Sequence, residues 1–231
     1  MKHVTVIQNT QSEWLGLLED HLEGRGIRFG YIRPFTGDST LPNVDVVGDG
    51  LILLGGGPWG TVSKPLLPVL DAEIRLTRAC LMLNKPVIGI GLGAQILAIA
   101  ADGGSTPAEL SCRVSTLKRT EDSALNGFLP ERMPLVEYGR DRAAPPAYAR
   151  VLAVDEDNRP SLFQIGANAL GFSGHPGVKL AMIEDLVMEF EEAPTNITPA
   201  LEQIRQVNTS IEDALVPVMT GVMQLTKWMN N

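Results

Sequence analysis

The chain has 231 residues, 44% of them hydrophobic and 20% charged, the composition of a globular protein and not of a disordered, collagen-like or coiled-coil chain. With 19 Lys+Arg against 27 Asp+Glu the net charge is −8, and with no basic run this argues against a nucleic-acid partner, whose phosphates an acidic surface repels. The only cysteines, Cys80 and Cys112, exclude a disulfide-dense scaffold and a four-thiolate zinc site. No apolar leader precedes the polar pair Gln8-Asn9, and the apolar stretch from Pro86 to Ala101 is interrupted by glycines and Gln95 and is shorter than the ~20 residues of a membrane span. A soluble cytoplasmic protein, without membrane contact, is expected.

In chain order, Val4 to Gln8 reads as a strand. Glu13 to Gly24 carries Trp14, Leu17, Leu18 and Leu22 at helical spacing, with Gly24 and Gly26 to end the helix. Arg28 to Arg33 and Gly50 to Leu54 are strands, the second running into the turn Gly55-Gly56-Gly57-Pro58. A helix over Leu66 to Asn84, a strand over Pro86 to Ile90 and a helix over Ala94 to Ala101 follow. This alternation predicts an α/β fold: an open, mostly parallel sheet with helices on both faces. Further short strands are expected at Val114–Leu117, Leu135–Tyr138, Val151–Val154, Leu162–Ile165 and Ala169–Phe172, as additions to the same domain, then a helix over Lys179 to Glu191. Residues 1–192 are read as one domain and 193–231 as a C-terminal helical extension. Thr198 is expected to cap that extension ahead of Pro199, and Pro217 to kink or split it. Its apolar stripe, Leu201 to Leu225, needs covering either by its own domain or by a second copy in a homodimer.

Chemistry in open α/β sheets gathers where a strand turns into a helix, here Gly89-Ile90-Gly91-Leu92-Gly93-Ala94-Gln95. Three readings fit. Gly89, Gly91 and Ala94 match a dinucleotide fingerprint with Glu109 further on, although the motif follows at least three strands and Glu109 follows Pro107 in loop-like sequence. Gly89-x-Gly91-x-Gly93 also has the spacing of a nucleophile elbow, but with glycine at the attacking position. The glycines could equally serve close helix–sheet packing.

The ordered motifs resemble a class I glutamine amidotransferase domain of the GMP-synthase-like type. Lys85-Pro86-Val87-Ile88-Gly89-Ile90-Gly91-Leu92-Gly93-Ala94-Gln95 is similar to that family's K-P-x-x-G-I-C-L-G-x-Q, and Leu53 to Pro58 to its oxyanion loop. Gly127-Phe128-Leu129-Pro130 and Ala149 to Ala153 fit the segments between. Phe163 to Gly166 and Gly171-Phe172-Ser173-Gly174-His175-Pro176 resemble the strands ending in G-x-Q-F-H-P-E. The resemblance, from Val4 to about Phe190, implies a Cys-His-Glu triad that attacks the glutamine amide. Residue by residue, His175 stands at the histidine position, Gly91 replaces the cysteine and Gly177 replaces the glutamate. Tyr138-Gly139-Arg140-Asp141 stands for W-H-x-D without its histidine. The backbone amides of Gly57 and Leu92 stand at the oxyanion donors, and Gln95 at a substrate contact.

With two triad members gone, the expected function is a binding or regulatory subunit that has lost glutaminase chemistry, taking a ligand such as glutamine and docking to a synthase-type partner. The alternatives are an active amidotransferase or hydrolase using Cys112 or water activated by His175, and a nucleotide-binding protein using Gly89 to Ala94. Cys80 is expected to be a buried apolar residue, Cys112 to lie in a loop, His3 and His21 at the surface, and Ser173 to face away from His175. No cofactor is implied, and no group of His, Cys and carboxylates has metal-ligand spacing.

Overall fold

A computed structural model describes residues 1–37 and 40–229. The elements are β1 (His3–Ile7), α1 (Leu17–Glu23), β2 (Arg28–Ile32), β3 (Gly50–Leu53), α2 (Leu70–Met82), β4 (Val87–Ile90), α3 (Leu92–Ala100), β5 (Gly104–Thr106), β6 (Ser111–Arg119), β7 (Arg132–Gly139), β8 (Arg142–Ala144), β9 (Arg150–Val154), β10 (Pro160–Ile165), β11 (Ala169–Phe172), α4 (Leu180–Glu189) and α5 (Ile197–Thr226). They build a mixed nine-stranded sheet in the order β2-β1-β3-β4-β11-β10-β9-β6-β7 and a two-stranded ribbon, β5-β8. β2, β1, β3, β4 and β11 run parallel, and β10, β9, β6 and β7 extend the sheet antiparallel. The α/β expectation holds. Every residue of β3, β4 and β11 is buried, as uninterrupted apolar strands covered on both faces must be.

Two apolar layers enclose the sheet. On one face, Leu76 and Cys80 of α2 and Ile96 and Leu97 of α3 pack on Leu51, Leu53 and Val87. On the other, Leu18 and Leu22 of α1 and Leu215, Val218 and Val222 of α5 pack on Val4, Ile52 and Ile88. A third cluster joins Met182 and Leu186 of α4 and Ile204 and Ile211 of α5 to Cys112 and Tyr138. The stripe of α5 is thus covered within the chain. Past the helix, the Trp228 ring crosses the sheet so closely that a Cβ on Gly50 would lie 2.4 Å from it, and its Nε1–H donates to the Asp49 carbonyl at 3.1 Å.

Several boundaries differ from expectation for identifiable reasons. α1 starts at Leu17, after Gly16 at φ 59°, because residues 10–15 form an irregular segment pinned by Glu189, whose carboxylate accepts the Gln11 and Ser12 amides. α2 starts at Leu70, since Leu66 bridges to Gly60 and Pro65 and Pro68 keep the preceding backbone out of the helix. Cys112 belongs to β6 and not to a loop, as the β6–β7 ladder extends to Ser111↔Gly139. α5 begins at Ile197, ahead of the expected Thr198 cap, and runs unbroken through Pro217. The buried contacts of Leu215, Val218, Met219 and Val222 outweigh the ~3 kcal/mol that an interior proline costs. His3 is exposed, whereas His21 is half-buried against Arg25.

Candidate functional site

β4, between β3 and β11 in the parallel half, ends at Ile90, and the chain passes through Gly91 (φ 58°, ψ −116°) straight into α3. An L side chain in such a conformation costs on the order of 1–3 kcal/mol. The Gly91 amide donates to the Phe172 carbonyl at 2.9 Å. A Cβ on Gly91 would meet only Gly55 Cα, at 3.7 Å. The turn therefore has the form of a nucleophile elbow with open room above it and no group to attack. Gly93 serves close packing instead, since a Cβ there would stand 2.2 Å from the Leu53 carbonyl oxygen. Glu109 lies exposed in the irregular stretch 107–110, away from any strand end.

After β11 the chain leaves the sheet at Ser173 and bridges to β7, the His175 amide donating to the Val136 carbonyl at 2.8 Å. The His175 ring is buried. Its Nδ1 accepts the Gly177 amide at 3.2 Å, which leaves the proton on Nε2, donated to the Trp14 carbonyl at 2.8 Å. Burial lowers its pKa to about 4, so the ring is neutral near pH 7 with both nitrogens engaged. It faces a void of about 10 Å³ shared with Glu13, Gly91 and Tyr138. At Gly177 a Cβ would lie 2.4 Å from Leu18 Cδ1 and 3.1 Å from Leu215 Cδ2: hydrocarbon from α1 and α5 fills the space in which the resemblance would put a third catalytic residue.

Glu13 is the residue that the sequence did not reveal. Its buried carboxylate accepts the Gly57 amide at 2.5 Å, and burial, with the nearby Glu189 charge adding to it against that hydrogen bond, raises its pKa to about 7. Gly57, at φ 54°, thus spends on an internal carboxylate the amide expected to hold an oxyanion. Glu13 opens the helix expected from Glu13 to Gly24, where an acid is ordinary, so nothing marked it; the structure leaves it in the irregular segment before α1.

Above the elbow opens a cavity of about 640 Å³ lined by Gly57, Gly91, Leu92 and Gln95, and further out by β7, β8 and the 145–149 loop. Ser173 lines it, whereas His175 does not. The Leu92 amide, at the start of α3, has no acceptor among the described residues. Gln95 is a brace. Its amide nitrogen donates to the Arg140 and Asp141 carbonyls at 2.9 and 3.3 Å, and its oxygen accepts the hydroxyls of Thr61 and Ser105 at 2.6 and 3.3 Å. Asp141 gathers the Thr61, Val62 and Ser63 amides at 2.9 Å each and the Ala108 amide at 3.2 Å, which lower its pKa although burial opposes them. Cys112 is fully buried beside Tyr138 and lines neither space, and burial raises its thiol to about 12. Cys80 is buried as expected, at about 11. No group of three or more metal-ligating side chains occurs among the described residues, and no helix is long and apolar enough to cross a membrane.

The parallel sheet, the elbow after β4 and the histidine after β11 are together the fold of a class I glutamine amidotransferase. Among solved structures, the chain is similar to a glutamine amidotransferase from Methylobacillus flagellatus (TM-score 0.82, 22% identity, covering 100% of this chain and 96% of that one). It is also similar to a glutamine amidotransferase from Thermotoga maritima (TM-score 0.79, 20% identity, 98% of each chain). A protein assigned as a GMP synthase subunit, from Thermoplasma acidophilum, is more distant (TM-score 0.58, 18% identity, 90% of this chain and 98% of that one). No family model and no curated protein matches the sequence.

Proposed function

We propose that this chain is a non-hydrolysing, ligand-binding protein on the amidotransferase fold, a pseudoenzyme that acts through its cavity and a protein partner. The observation that carries the reading is the elbow itself: Gly91 holds the backbone of a nucleophile position and supplies no nucleophile. Three features support it. His175 is neutral and tied at both nitrogens, the space beside Gly177 is filled by Leu18 and Leu215, and the Gly57 amide is held by Glu13. Deleting triad groups elsewhere leaves about 10³–10⁴-fold over water, far below useful amide hydrolysis. Likeness to a GMP synthase component supports a synthase-type partner, to which the chain would contribute binding instead of ammonia.

The direct test is covalent labelling. Intact mass spectrometry after incubation with 6-diazo-5-oxo-L-norleucine, a glutamine-analogue electrophile that traps amidotransferase thiolates, is expected to show unmodified protein. A stoichiometric adduct, at Cys112 or anywhere in the cavity, contradicts the proposal.

A further inference from the structure

Two neighbouring residues close the inner end of the site from within. The Glu13 carboxylate accepts the Gly57 amide at 2.5 Å, and the Trp14 carbonyl accepts the His175 Nε2–H at 2.8 Å. Both belong to residues 8–16, which lie in neither helix nor strand and yet bury Gln8, Asn9, Thr10, Ser12 and Glu13. Side chains hold this segment. The Gln8 amide group donates to the Thr10 and Gln11 carbonyls at 2.9 and 3.1 Å, and the Glu189 carboxylate accepts the Gln11 and Ser12 amides at 2.9 Å each. Glu189 ends α4, where the negative end of the helix dipole disfavours an acid, and the two amides offset that cost.

The Glu13 contact has the chemistry of a bound ligand. Gly57 lines the cavity above the elbow, and a backbone amide in that position binds a carbonyl or carboxylate oxygen. The carboxyl group packs on Gly55 and leaves no room there for a Cβ, and Gly55 Cα in turn faces the elbow, 3.7 Å from a Cβ placed on Gly91. Glu13 makes no other side-chain hydrogen bond among the described residues. A glutamine would satisfy the Gly57 amide equally well, without the cost of burying an ionisable group. Packing alone therefore does not call for an acid at this position. We propose that the segment carrying Glu13 and Trp14 is an internal plug: the Glu13 carboxylate sits where a ligand's carbonyl or carboxyl oxygen would take the Gly57 amide, and such a ligand binds at the elbow only by displacing it. Where the binding-competent form is a fraction of the total, apparent affinity falls by that fraction, so the plug sets how tightly the cavity holds its ligand. This inference concerns the regulation of the binding site proposed above and rests on that reading.

The test is calorimetric titration of the full chain with L-glutamine, whose side-chain carbonyl is such an oxygen, on wild type, Glu13→Ala and Glu13→Gln. Glu13→Ala is expected to bind at least about tenfold tighter than wild type. Glu13→Gln keeps an oxygen on the Gly57 amide without the charge, and should gain no more than about threefold. Equal gains in the two variants would assign the effect to charge and not to occupation of the amide. Affinity in Glu13→Ala no higher than in wild type, or no binding by it, would show that nothing is masked. Each of these results overturns the plug. A measurement on wild type alone covers a Glu13→Ala protein that fails to fold. In nitrogen–proton correlation spectra at high L-glutamine, the Gly57 amide resonance should move as the ligand oxygen replaces Glu13, and an unmoved resonance overturns the proposal. The two readings fail separately. Ammonia release from L-glutamine would remove the non-hydrolysing function and leave the effect of Glu13 measurable, whereas unchanged affinity in a Glu13→Ala protein that releases no ammonia would remove only the plug.

Discussion

Gly177→Glu is expected to destabilise the protein by at least about 3 kcal/mol, lowering the melting temperature by about 6–12 °C. The substitution restores the residue that the amidotransferase motif carries at this position, yet the new Cβ would stand 2.4 Å from Leu18 Cδ1, 3.1 Å from Leu215 Cδ2 and 3.3 Å from Leu17 Cβ. Overpacking of that degree costs about 1–3 kcal/mol. The carboxylate would then sit among the apolar groups of α1 and α5, without a partner, at a further cost of similar size. Gly177→Ala, whose methyl meets only the movable end of Leu18 at short range, should cost about 1 kcal/mol. Chemical denaturation of the three proteins checks the series. A Gly177→Glu variant as stable as wild type would mean that the triad position is vacant and not filled, and the structural argument against residual catalysis would weaken accordingly.

The second large effect is expected with pH. Glu73, on α2, is fully buried with neither carboxyl oxygen in a hydrogen bond, and burial raises its pKa to about 8, against a smaller lowering by the Asn9 side chain. Glu13 is raised to about 7. A carboxyl whose pKa is higher in the folded than in the unfolded chain contributes stability at low pH and loses it as pH rises through the folded value. Between about pH 5 and pH 8.5 the protein should therefore lose stability. His175 acts in the opposite sense, since its pKa falls to about 4 on folding, so its contribution is present above about pH 6.5 and lost as pH falls towards 4. Two carboxyl groups outweigh the one histidine where the ranges overlap, so stability should peak near the lower limit of the carboxyl range, at about pH 4.5. Glu73→Gln removes the larger alkaline contribution. Urea denaturation should find it close to wild type at about pH 5.5 and more stable by about 2–4 kcal/mol at about pH 8.5. Equal stability of the two at about pH 8.5 would show that Glu73 does not carry the alkaline loss.

Much of the fold was legible because burial writes itself into local pattern. β3, β4 and β11 are continuous apolar runs, and the turn at Gly91 follows β4 as its glycines imply. What was illegible depends on distant partners. The β5–β8 ribbon is three residues per strand, too short for alternation to register. α5 survives Pro217 because of contacts with the sheet and α1 that no local rule contains. In the site, the positions of Gly91, His175, Gly57 and Gln95 could be placed by motif, but their states could not. That the Gly57 amide is held by Glu13, that Gln95 is saturated by Thr61, Ser105 and the Arg140–Asp141 backbone, and that His175 turns away from the cavity are consequences of tertiary packing. Glu13 itself stands at the start of the expected first helix, where an acid is ordinary, so neither its burial nor its partner has a signature.

The central claim is that an elbow without a nucleophile leaves no glutaminase. The measurement that bears on it most directly is ammonia release from L-glutamine by the purified chain, with Gly91→Cys assayed beside it. Wild type should not exceed the rate in buffer. Gly91→Cys should stay near that level too, because its thiol would meet a histidine already bonded at both nitrogens and no glutamate at 177. Ammonia release by wild type at an enzyme-like rate, abolished by a thiol reagent, would contradict the account and make Cys112 the first residue to replace.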